Sequence, residues 1–377
     1  MLICVYMPGT ANHLFSPFTV RGITLPSRIV VSPMCQYSSV DGLANDWHLV
    51  HLGSRAIGGA GLIFTEAAAV SPEGRITPQD LGIWKDEQIA PLERITGFLH
   101  QHGTYTGIQL AHSGRKGSML PPWESSRVAT AAEGGWENVL GPSPDRFDEA
   151  YALPHEISVA EIQALIASFA DAAKRALAAG FDIVEIHAAH GYLLHQFLSP
   201  LSNKRTDSYG GNFQNRVRLT LEVVGAVRAA WPEHLPLFVR ISATDWAPGI
   251  ASWDIEQSVE LAKLLRAEGV DIVDVSSGGN LPGAKIPSSP GYQVPFAARI
   301  RSEAGIATAA VGQITQPTHA DTIVRNGEAD LVLLAREMLR DPYWPIHAAL
   351  ALGQQIPWPV QYERAAGGRV PRRAPVS

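Results

Sequence analysis

The sequence contains little cysteine: of its 377 residues, only Cys4 and Cys35 are cysteines. Two cysteines cannot form the disulfide framework of a small secreted protein, so we expect a reducing compartment, the cytoplasm. No apolar run approaches the ~20 residues that a membrane-spanning helix needs. The apolar opening, residues 1–6, lacks the basic region and the long apolar region of a signal peptide.

An excess of positive charge is also absent. The net charge of −6 argues against nucleic acid or an anionic membrane surface as a partner. The fingerprint G-x-G-x-x-G does not occur, which disfavours a doubly wound dinucleotide-binding sheet. No low-complexity linker divides the chain. We therefore expect one domain over residues 14–364, with an N-terminal extension (1–13) expected to be flexible and a C-terminal tail (365–377).

A short pattern recurs along the chain and predicts strands. Each copy has a glycine that ends a helix, followed by an apolar run with a polar residue near its close. This pattern is typical of a helix followed by a buried parallel strand. The copies are residues 59–66, 179–187, 268–276 and 327–335, and further candidate strands are 29–33, 106–110, 237–241 and 307–311.

Helix signals lie between most of these strands. Ser158 and Glu161 form a capping box before apolar residues at helical spacing, and Asp254 with Gln257 opens a similar segment. Eight strands alternating with helices predict an α/β fold, a single (β/α)8 TIM barrel. Residues 116–155 lack periodicity, and we expect this excursion after the third strand to form a cap beside the active-site face.

Chemistry on a TIM barrel takes place at the carboxyl ends of the strands, which form its rim. Here few acids lie at the strand ends, and no carboxylate pair for glycoside hydrolysis is evident. The fourth strand delivers His187, His190 and Tyr192. Two imidazoles and a phenol can hold and polarise a substrate oxygen and donate a proton. A metal site or purely structural histidines are the alternatives, and the metal is less favoured because no third ligand stands with them.

Other strand ends carry further candidates. Cys35 could be a nucleophile, a redox modulator or a small buried hydrophobe. Arg240 ends an apolar strand and needs an anion or an electron-rich ring oxygen as its partner, which Gln109 could share.

The loops after the last two strands form a possible phosphate site, because TIM barrels often bind phosphate there through backbone N–H groups. Arg336 could add a bidentate clamp. Ordinary glycine turns plus a surface arginine remain the alternative reading. The residues concerned are Gly312, Gln313, Ala335 and Arg336.

Several phrases of the sequence resemble one known family. They are Ser-Pro-Met-Cys-Gln-Tyr-Ser at 32–38, Gly-Ile-Gln-Leu-Ala-His-Ser-Gly-Arg-Lys at 107–116, His-Ala-Ala-His-Gly-Tyr at 187–192, and the segments 199–207, 209–211 and 359–364. In these the chain is similar to the Old Yellow Enzyme family of flavin-dependent ene-reductases. The resemblance is strongest to its bacterial thermophilic-like branch, which includes the xenobiotic reductases, and it extends from about residue 14 to residue 364.

The resemblance implies roles for the candidate residues. His187 and His190 would hold the carbonyl or nitro oxygen of the substrate, and Tyr192 would donate a proton. Cys35 would modulate the flavin's redox potential, while Tyr37 and Lys116 would line the substrate site. FMN would place its phosphate at Gly312, Gln313, Ala335 and Arg336, and its ring system against Ser32, Pro33, Met34, Cys35, Ala67, Gln109 and Arg240.

The implied reaction has two halves. NADPH reduces FMN, which then transfers hydride to the β-carbon of an α,β-unsaturated carbonyl or a related activated alkene or nitro compound, while Tyr192 protonates the α-carbon. The family also implies a homodimer or homotetramer, in which Arg364 would reach a neighbouring active site. The chain departs from the family at Ala335, where glycine is usual, and in the 13 residues after Arg364.

Two alternatives from other classes stand beside this reading. One is a metal-dependent TIM-barrel hydrolase or lyase that uses His187 and His190, and the other is a barrel that only binds. Nitro-compound reduction and dienoyl reduction are not separated by the sequence, although the missing cysteine cluster disfavours iron–sulfur-containing dienoyl reductases.

Overall fold

The structure is a computed structural model that describes residues 13–368, 370–372 and 374–376. The predicted N-terminal extension therefore lies outside the described residues, apart from His13. The strands are β1 (Phe18–Val20), β2 (Ile23–Leu25), β3 (Ile29–Val31), β4 (Leu62–Ala69), β5 (Tyr105–Ala111), β6 (Leu140–Gly141), β7 (His155–Glu156), β8 (Ile183–Ala188), β9 (Leu237–Ser242), β10 (Ile272–Ser276), β11 (Ala307–Ala310) and β12 (Leu331–Leu334).

The α-helices lie mainly between these strands. They are α1 (Asp46–Ile57), α2 (Ile89–Gln101), α3 (Val159–Ala178), α4 (Leu193–Leu198), α5 (Phe213–Ala230), α6 (Ile255–Ala267), α7 (Val294–Ala304), α8 (Pro317–Arg325), α9 (Arg336–Arg340) and α10 (Trp344–Ala351).

Within the described residues, eight parallel strands close into a barrel in the order β10-β11-β12-β3-β4-β5-β8-β9. This confirms the predicted (β/α)8 fold. The predicted helix starts are also confirmed, since Ser158 and Glu161 form a capping box and the Asp254 side chain accepts from the N–H of Gln257. A β-bulge between Phe64 and Ala67 interrupts the register of β4 against β5.

The amino-terminal half of the barrel interior is apolar. Side chains alternate across a strand, so every second residue points inward. One buried cluster collects these inward residues, and the β1–β2 hairpin packs against it through Ile23 and Leu25. The larger cluster fills the layer between the strands and the surrounding helices. The interior cluster includes Val30, Leu62, Phe64, Ile183, Phe238, Ile272, Leu331 and Leu333.

The inward positions become polar towards the carboxyl ends of the strands. In β8 the inward series that begins at Ile183 continues with Glu185 and His187, all buried. In β10 the series from Ile272 continues with Asp274 and Ser276. The barrel therefore carries a polar layer above an apolar one, on the side where the predicted site residues lie.

The excursion after β5 lies beside this rim, as predicted. Its Trp123 ring packs edge-on against Tyr37, with the ring centroids 5.5 Å apart. The Lys116 ammonium lies 4.0 Å from the centroid of the Phe147 ring. Strands β6 and β7 of the excursion pair with each other in a separate two-stranded sheet.

Part of the predicted C-terminal tail lies against the barrel. The backbone N–H of Val376 donates to the carbonyl of His100, near the end of α2, at 3.0 Å. Arg372 lies 3.7 Å from a carboxylate oxygen of Glu363. Among the helices of the described ranges, none combines the length and the apolar character that crossing a membrane requires.

Candidate active site

The loop after β3 carries Cys35 and Tyr37 to the rim. Burial, together with the negative Asp80 and Glu66, raises the pKa of the Cys35 thiol well above its usual value. The thiol is also hydrogen-bonded to Tyr37. It therefore stays protonated near neutral pH, which argues against the nucleophile reading left open by the sequence. Tyr37 has a φ of +49°, a backbone conformation that residues other than glycine rarely adopt.

A buried carboxylate anchors this loop to the neighbouring strand. Glu66, at the bulge of β4, accepts a hydrogen bond from the backbone N–H of Gln36 at 2.8 Å. Its other oxygen lies 3.0 Å from Nε2 of His48, on α1. The bulge turns Glu66 towards the loop, so the positions of Cys35 and Tyr37 depend on strand β4 as well as on β3.

The two predicted histidines lie together at the end of β8, with ring centroids 5.1 Å apart. The backbone N–H of Ala189 donates to Nδ1 of His187 at 3.3 Å, which leaves the ring proton on Nε2. Nε2 of His190 lies 2.7 Å from the Ser276 hydroxyl. Burial and the Arg240 charge lower the pKa of both rings well below the usual value, so both are neutral at pH 7.

Tyr192 completes this cluster. Its ring packs edge-on against His187, with centroids 5.2 Å apart. Burial and the neighbouring Cys35 and Tyr37 raise its pKa well above the usual value, so the hydroxyl is protonated near neutral pH. The structure thus brings together Tyr192 and both histidines, and Cys35 is near enough to influence the pKa of Tyr192.

Lys116 reaches the same cluster, but its hydrogen bonds go to the backbone. Its ammonium donates to the carbonyl of His190 at 2.9 Å and to the carbonyl of Gly279. It also lies 5.5 Å from the centroid of the Tyr192 ring. Burial and the adjacent Arg115 lower the pKa of Lys116 to about 7. Lys116 therefore joins the His190 segment to the loop after β10.

Arg240 has a partner that the sequence analysis did not identify. Its Nε lies 3.0 Å from a carboxylate oxygen of Asp274, and its guanidinium donates to the Ser32 hydroxyl at 3.1 Å. The Gln109 amide donates to Glu185 at 2.8 Å. Burial and the adjacent Asp274 raise the pKa of Glu185 well above its usual value. Of the two neighbouring acids, Glu185 and Asp274, Glu185 is therefore the protonated one.

The internal repeat of the sequence could have predicted that Glu185 and Asp274 lie together. Glu185 and Asp274 occupy the same place in two copies of the repeat, 179–187 and 268–276. Equivalent inward positions of two barrel strands fall in one layer, so the two acids could have been placed together. The rim is poor in acids, as the sequence indicates, but two carboxyls lie in the layer beneath it.

A cavity opens between the carboxyl ends of β11 and β12, where the phosphate site is predicted. Gly312 has a φ of +123°, and a Cβ there would fall 2.8 Å from the amide nitrogen of Gln293. Gln293, which the sequence analysis missed, is held by Ser277 at 2.6 Å and by the carbonyl of Val311 at 2.7 Å. The lining includes all four predicted residues, Gly312, Gln313, Ala335 and Arg336.

This cavity fits the phosphate of FMN. Across the described part of the chain, Arg336 has no hydrogen-bond or ion-pair partner, so its charge is available to a ligand. Ala335 has a φ of −102°, outside the left-handed region, so its methyl group causes no strain of that kind. Of the remaining ring-binding candidates, Pro33 and Met34 lie just after β3, and Ala67 lies in β4.

Arg364 lies apart from these groups in the single chain. It belongs to the exposed 3-10 helix Val360–Ala365, whose Tyr362 packs against Tyr343. Within the described residues, no hydrogen bond or ion pair joins Arg364 to the rim. No group of three or more His, Cys, Asp or Glu side chains that could hold a metal ion is found in the described ranges.

Comparison with known proteins agrees with this geometry. A model of the NADH:flavin oxidoreductase / NADH oxidase family matches residues 13–355. The NADPH dehydrogenase of Geobacillus thermodenitrificans is 50% identical over 93% of this chain and 98% of its own length. That of Bacillus subtilis is 48% identical over 94% and 99%. Morphinone reductase in complex with tetrahydroNAD superposes with a TM-score of 0.75 at 25% identity, over 93% of this chain and 94% of its own.

The polar rim, the cavity at the ends of β11 and β12, and the match over most of the chain agree with one another. The chain belongs to the NADH:flavin oxidoreductase / NADH oxidase family, that of Old Yellow Enzyme, and is an FMN- and NAD(P)H-dependent oxidoreductase.

Proposed function

We propose that this protein is an ene-reductase that reduces the carbon–carbon double bond of an α,β-unsaturated carbonyl or a related activated alkene or nitro compound. One observation carries the proposal: the rim presents a neutral His187, a neutral His190 and a protonated Tyr192 within one cluster. Neutral donors can bind a carbonyl oxygen without transferring a proton to it, while the phenol can protonate carbon.

Bound FMN would supply the hydride chemistry, taking hydride from a reduced nicotinamide and passing it to the alkene's β-carbon. The chain's own residues would hold the cofactor at both ends. Arg240, Gln109 and the β3 loop (Ser32, Pro33, Met34 and Cys35) lie where the ring system would be bound. The cavity at Gly312, Gln313, Ala335 and Arg336 would take the phosphate.

His187 would donate its Nε2–H to the substrate oxygen, because its Nδ1 already accepts from the backbone of Ala189. This hydrogen bond polarises the carbonyl and makes the β-carbon more electrophilic. Tyr192 would transfer its hydroxyl proton to the α-carbon, and solvent would then return a proton to the phenolate. The protonated Cys35 thiol would contact the flavin without taking part in proton transfer.

We propose NADPH as the preferred reductant. Two relatives at about 50% identity bear the name NADPH dehydrogenase. The sequence has no dinucleotide fingerprint, so the nicotinamide would visit the same rim as the alkene, and the two halves of the reaction would alternate. The metal-dependent hydrolase or lyase and the binding-only alternatives gain no support from these relatives.

The absorption spectrum of the purified protein tests this proposal. Anaerobic NADPH is expected to bleach the flavin bands, and cyclohexenone is expected to restore them. A protein that binds FMN and is reduced by NADPH but is not reoxidised by enones would contradict the ene-reductase assignment. It would leave the family assignment intact.

The substitution Tyr192→Phe tests the proton donor. Loss of a general acid is expected to slow reoxidation by cyclohexenone about a hundredfold or more, whereas flavin reduction by NADPH, which needs no such proton, changes little. Stopped-flow measurement of each half-reaction separates the two. Tyr209→Phe, which removes a hydroxyl bonded to Glu222 outside the site, is the matched control. Equal losses in both half-reactions would contradict the role.

We also propose that the protein assembles as a homodimer or homotetramer in which Arg364 enters a neighbouring active site. The exposed position of the Val360–Ala365 helix supports this, because its Val360 and Tyr362 leave apolar surface open to solvent.

A further inference from the structure

A buried histidine–carboxylate pair lies directly behind the catalytic segment. His195 is on α4 and Asp245 follows β9, and both side chains are fully buried. Nε2 of His195 lies 3.0 Å from Oδ1 of Asp245. The proposed function uses neither residue, although His195 is only three positions beyond Tyr192.

The hydrogen bonds fix which nitrogen of His195 carries the proton. The backbone N–H of Gly191 donates to Nδ1 at 2.9 Å, so Nδ1 must present a lone pair. A neutral imidazole has one N–H, which must then be on Nε2, facing the Asp245 carboxylate. The carboxylate in turn accepts from the Ser199 hydroxyl at 2.6 Å and from the backbone N–H of Trp253 at 2.9 Å.

These contacts keep Asp245 ionised inside the protein. Burial alone would raise its pKa, but His195, Ser199 and the Trp253 amide together hold the pKa below its usual value. An ionised Asp245 favours the Nε2–H form of His195, as carboxylates do for metal-bound histidines. In this form the Nδ1 lone pair of His195 accepts the hydrogen bond from the Gly191 N–H.

Gly191 lies at the turn after β8, here called the corner (residues 190–192), which sets the directions of the His190 and Tyr192 side chains. It separates His190 from Tyr192, and both His190 (φ +59°) and Gly191 (φ +72°) are in the left-handed region. A Cβ on Gly191 would fall 2.1 Å from the carbonyl oxygen of Gly279. The left-handed conformation costs glycine little, but it is costly for His190 and persists only where surrounding contacts hold it.

Each backbone N–H of this corner has an acceptor. The N–H of His190 donates to the Ser242 hydroxyl at 2.9 Å, and that of Tyr192 donates to the carbonyl of Ala189 at 3.2 Å. The N–H between them, that of Gly191, donates to His195. His195 is thus the side chain that accepts from the central N–H of the corner, while the carbonyls of His190 and Gly191 accept from Lys116 and Gln196.

We propose that His195, held in its Nε2–H form by Asp245, is a positioning residue that sets the aim of Tyr192 through the Gly191 amide. The proposal rests on the proposed proton-donor role of Tyr192. A displacement of about 1 Å at a reacting group can slow a reaction about a hundredfold, so loss of this bond is expected to act on proton transfer.

Two substitutions at the same position separate the hydrogen bond of His195 with Gly191 from its close contact with the Asp245 carboxylate. In His195→Asn, the short side chain places an amide oxygen near the position of Nδ1, which keeps an acceptor for Gly191 but cannot reach Asp245. In His195→Gln, the longer side chain can donate to Asp245 but leaves the Gly191 N–H without its acceptor. Both substitutions remove the ring from the core, so their packing losses are similar.

The FMN-loaded variants are compared by stopped flow in both half-reactions. His195→Asn is expected to retain reoxidation by cyclohexenone within about fivefold of the wild type, while His195→Gln loses at least about twentyfold. Flavin reduction by NADPH changes by less than about threefold in both. Equal losses in the two variants, or an unaffected His195→Gln, would overturn the proposal.

Neutron diffraction from wild-type holoenzyme crystals grown in D2O tests the first half of the proposal without relying on any variant. A deuterium is expected on Nε2 of His195, with none on Nδ1. A deuterium on Nδ1 would overturn the proposal even if the variants failed to fold. Failure of the proposed function is recognised separately, since the wild-type protein would then not reduce cyclohexenone at all.

Discussion

Asp80 is a buried carboxyl at the edge of the site that combines strong hydrogen bonding with a displaced pKa. It accepts from the backbone N–H of Ile76 at 2.7 Å, and from the N–H and the hydroxyl of Thr77 at 3.1 and 2.7 Å. Burial nevertheless raises its pKa to about 7. It lines a small cavity together with Tyr192, so its charge influences the proposed proton donor.

The raised pKa predicts how Asp80 affects stability. Between the unfolded value of 3.8 and about 7, the folded state binds more protons than the unfolded state, so the Asp80 contribution falls as pH rises. The free energy of unfolding of the wild type, relative to Asp80→Asn, is therefore expected to decrease from pH 4 to pH 7.5. The decrease is on the order of 4 kcal/mol.

Urea unfolding of both proteins at each pH measures this difference. Asp171→Asn, at an exposed carboxylate paired with Lys174, is the control and should show little change. A constant gap between the wild type and Asp80→Asn at all pH values would contradict the prediction.

Three neighbouring strands, β8, β9 and β10, build the polar layer of the barrel as a unit. β8 contributes Glu185, β9 contributes Arg240 and β10 contributes Asp274, with Arg240 and Asp274 opposite each other in the register. With Glu185 protonated, the Arg240 and Asp274 charges cancel. The three strands therefore present the Arg240 guanidinium at the rim, with most of its positive charge balanced by Asp274.

Removing the counter-ion is expected to change the bound flavin. In Asp274→Asn, Arg240 loses its ionised partner, while burial, the largest cause of the raised pKa of Glu185, still keeps that carboxyl protonated. Arg240 then stabilises added negative charge and raises the midpoint potential of FMN. The variant also loses about 3–5 kcal/mol of stability, because a buried pair is broken. Dye-equilibration titration of the FMN-loaded protein measures the potential.

Asp271→Asn is the matched control, since Asp271 stands at the other end of the same strand, where it pairs with Arg21. It should affect stability without moving the potential. A potential that shifts equally in both variants, or that falls in Asp274→Asn, would contradict the role of the counter-ion.

The elements that the sequence predicts well are those whose signal is local. The barrel strands are short apolar runs, four of which follow a glycine in a recurring pattern, and α3 begins at a capping box, so these elements could be predicted directly. The β1–β2 and β6–β7 pairs were not predicted, because strands of two or three residues carry too little pattern. The pair His195 and Asp245 is separated by 50 positions along the chain and meets only because β8 and β9 are neighbours.

At the scale of the whole molecule, the single chain leaves Arg364 on its outer surface while the active-site rim is formed elsewhere. If the proposed assembly is correct, Arg364→Ala raises the KM for cyclohexenone about tenfold, the effect of losing one hydrogen bond to a charged group. Sedimentation velocity of both proteins should show the same dimer or tetramer. Arg299→Ala, on the exposed face of α7, is the control.

Two results would contradict the assembly proposal. One is a wild-type protein that sediments as a monomer at the concentrations used for kinetics. The other is an Arg364→Ala enzyme whose KM matches that of Arg299→Ala.

The barrel interior is divided into an apolar layer at the amino ends of the strands and a polar layer at their carboxyl ends. This division determines which parts of the protein can change in evolution. The interior apolar cluster lies towards the amino ends of the strands, away from the loops that form the rim. Exchanges in loops such as that of Tyr37 and Trp123 leave this cluster untouched, so the fold tolerates them. The loops around the site can therefore change in evolution, and the substrates with them, while the barrel is retained.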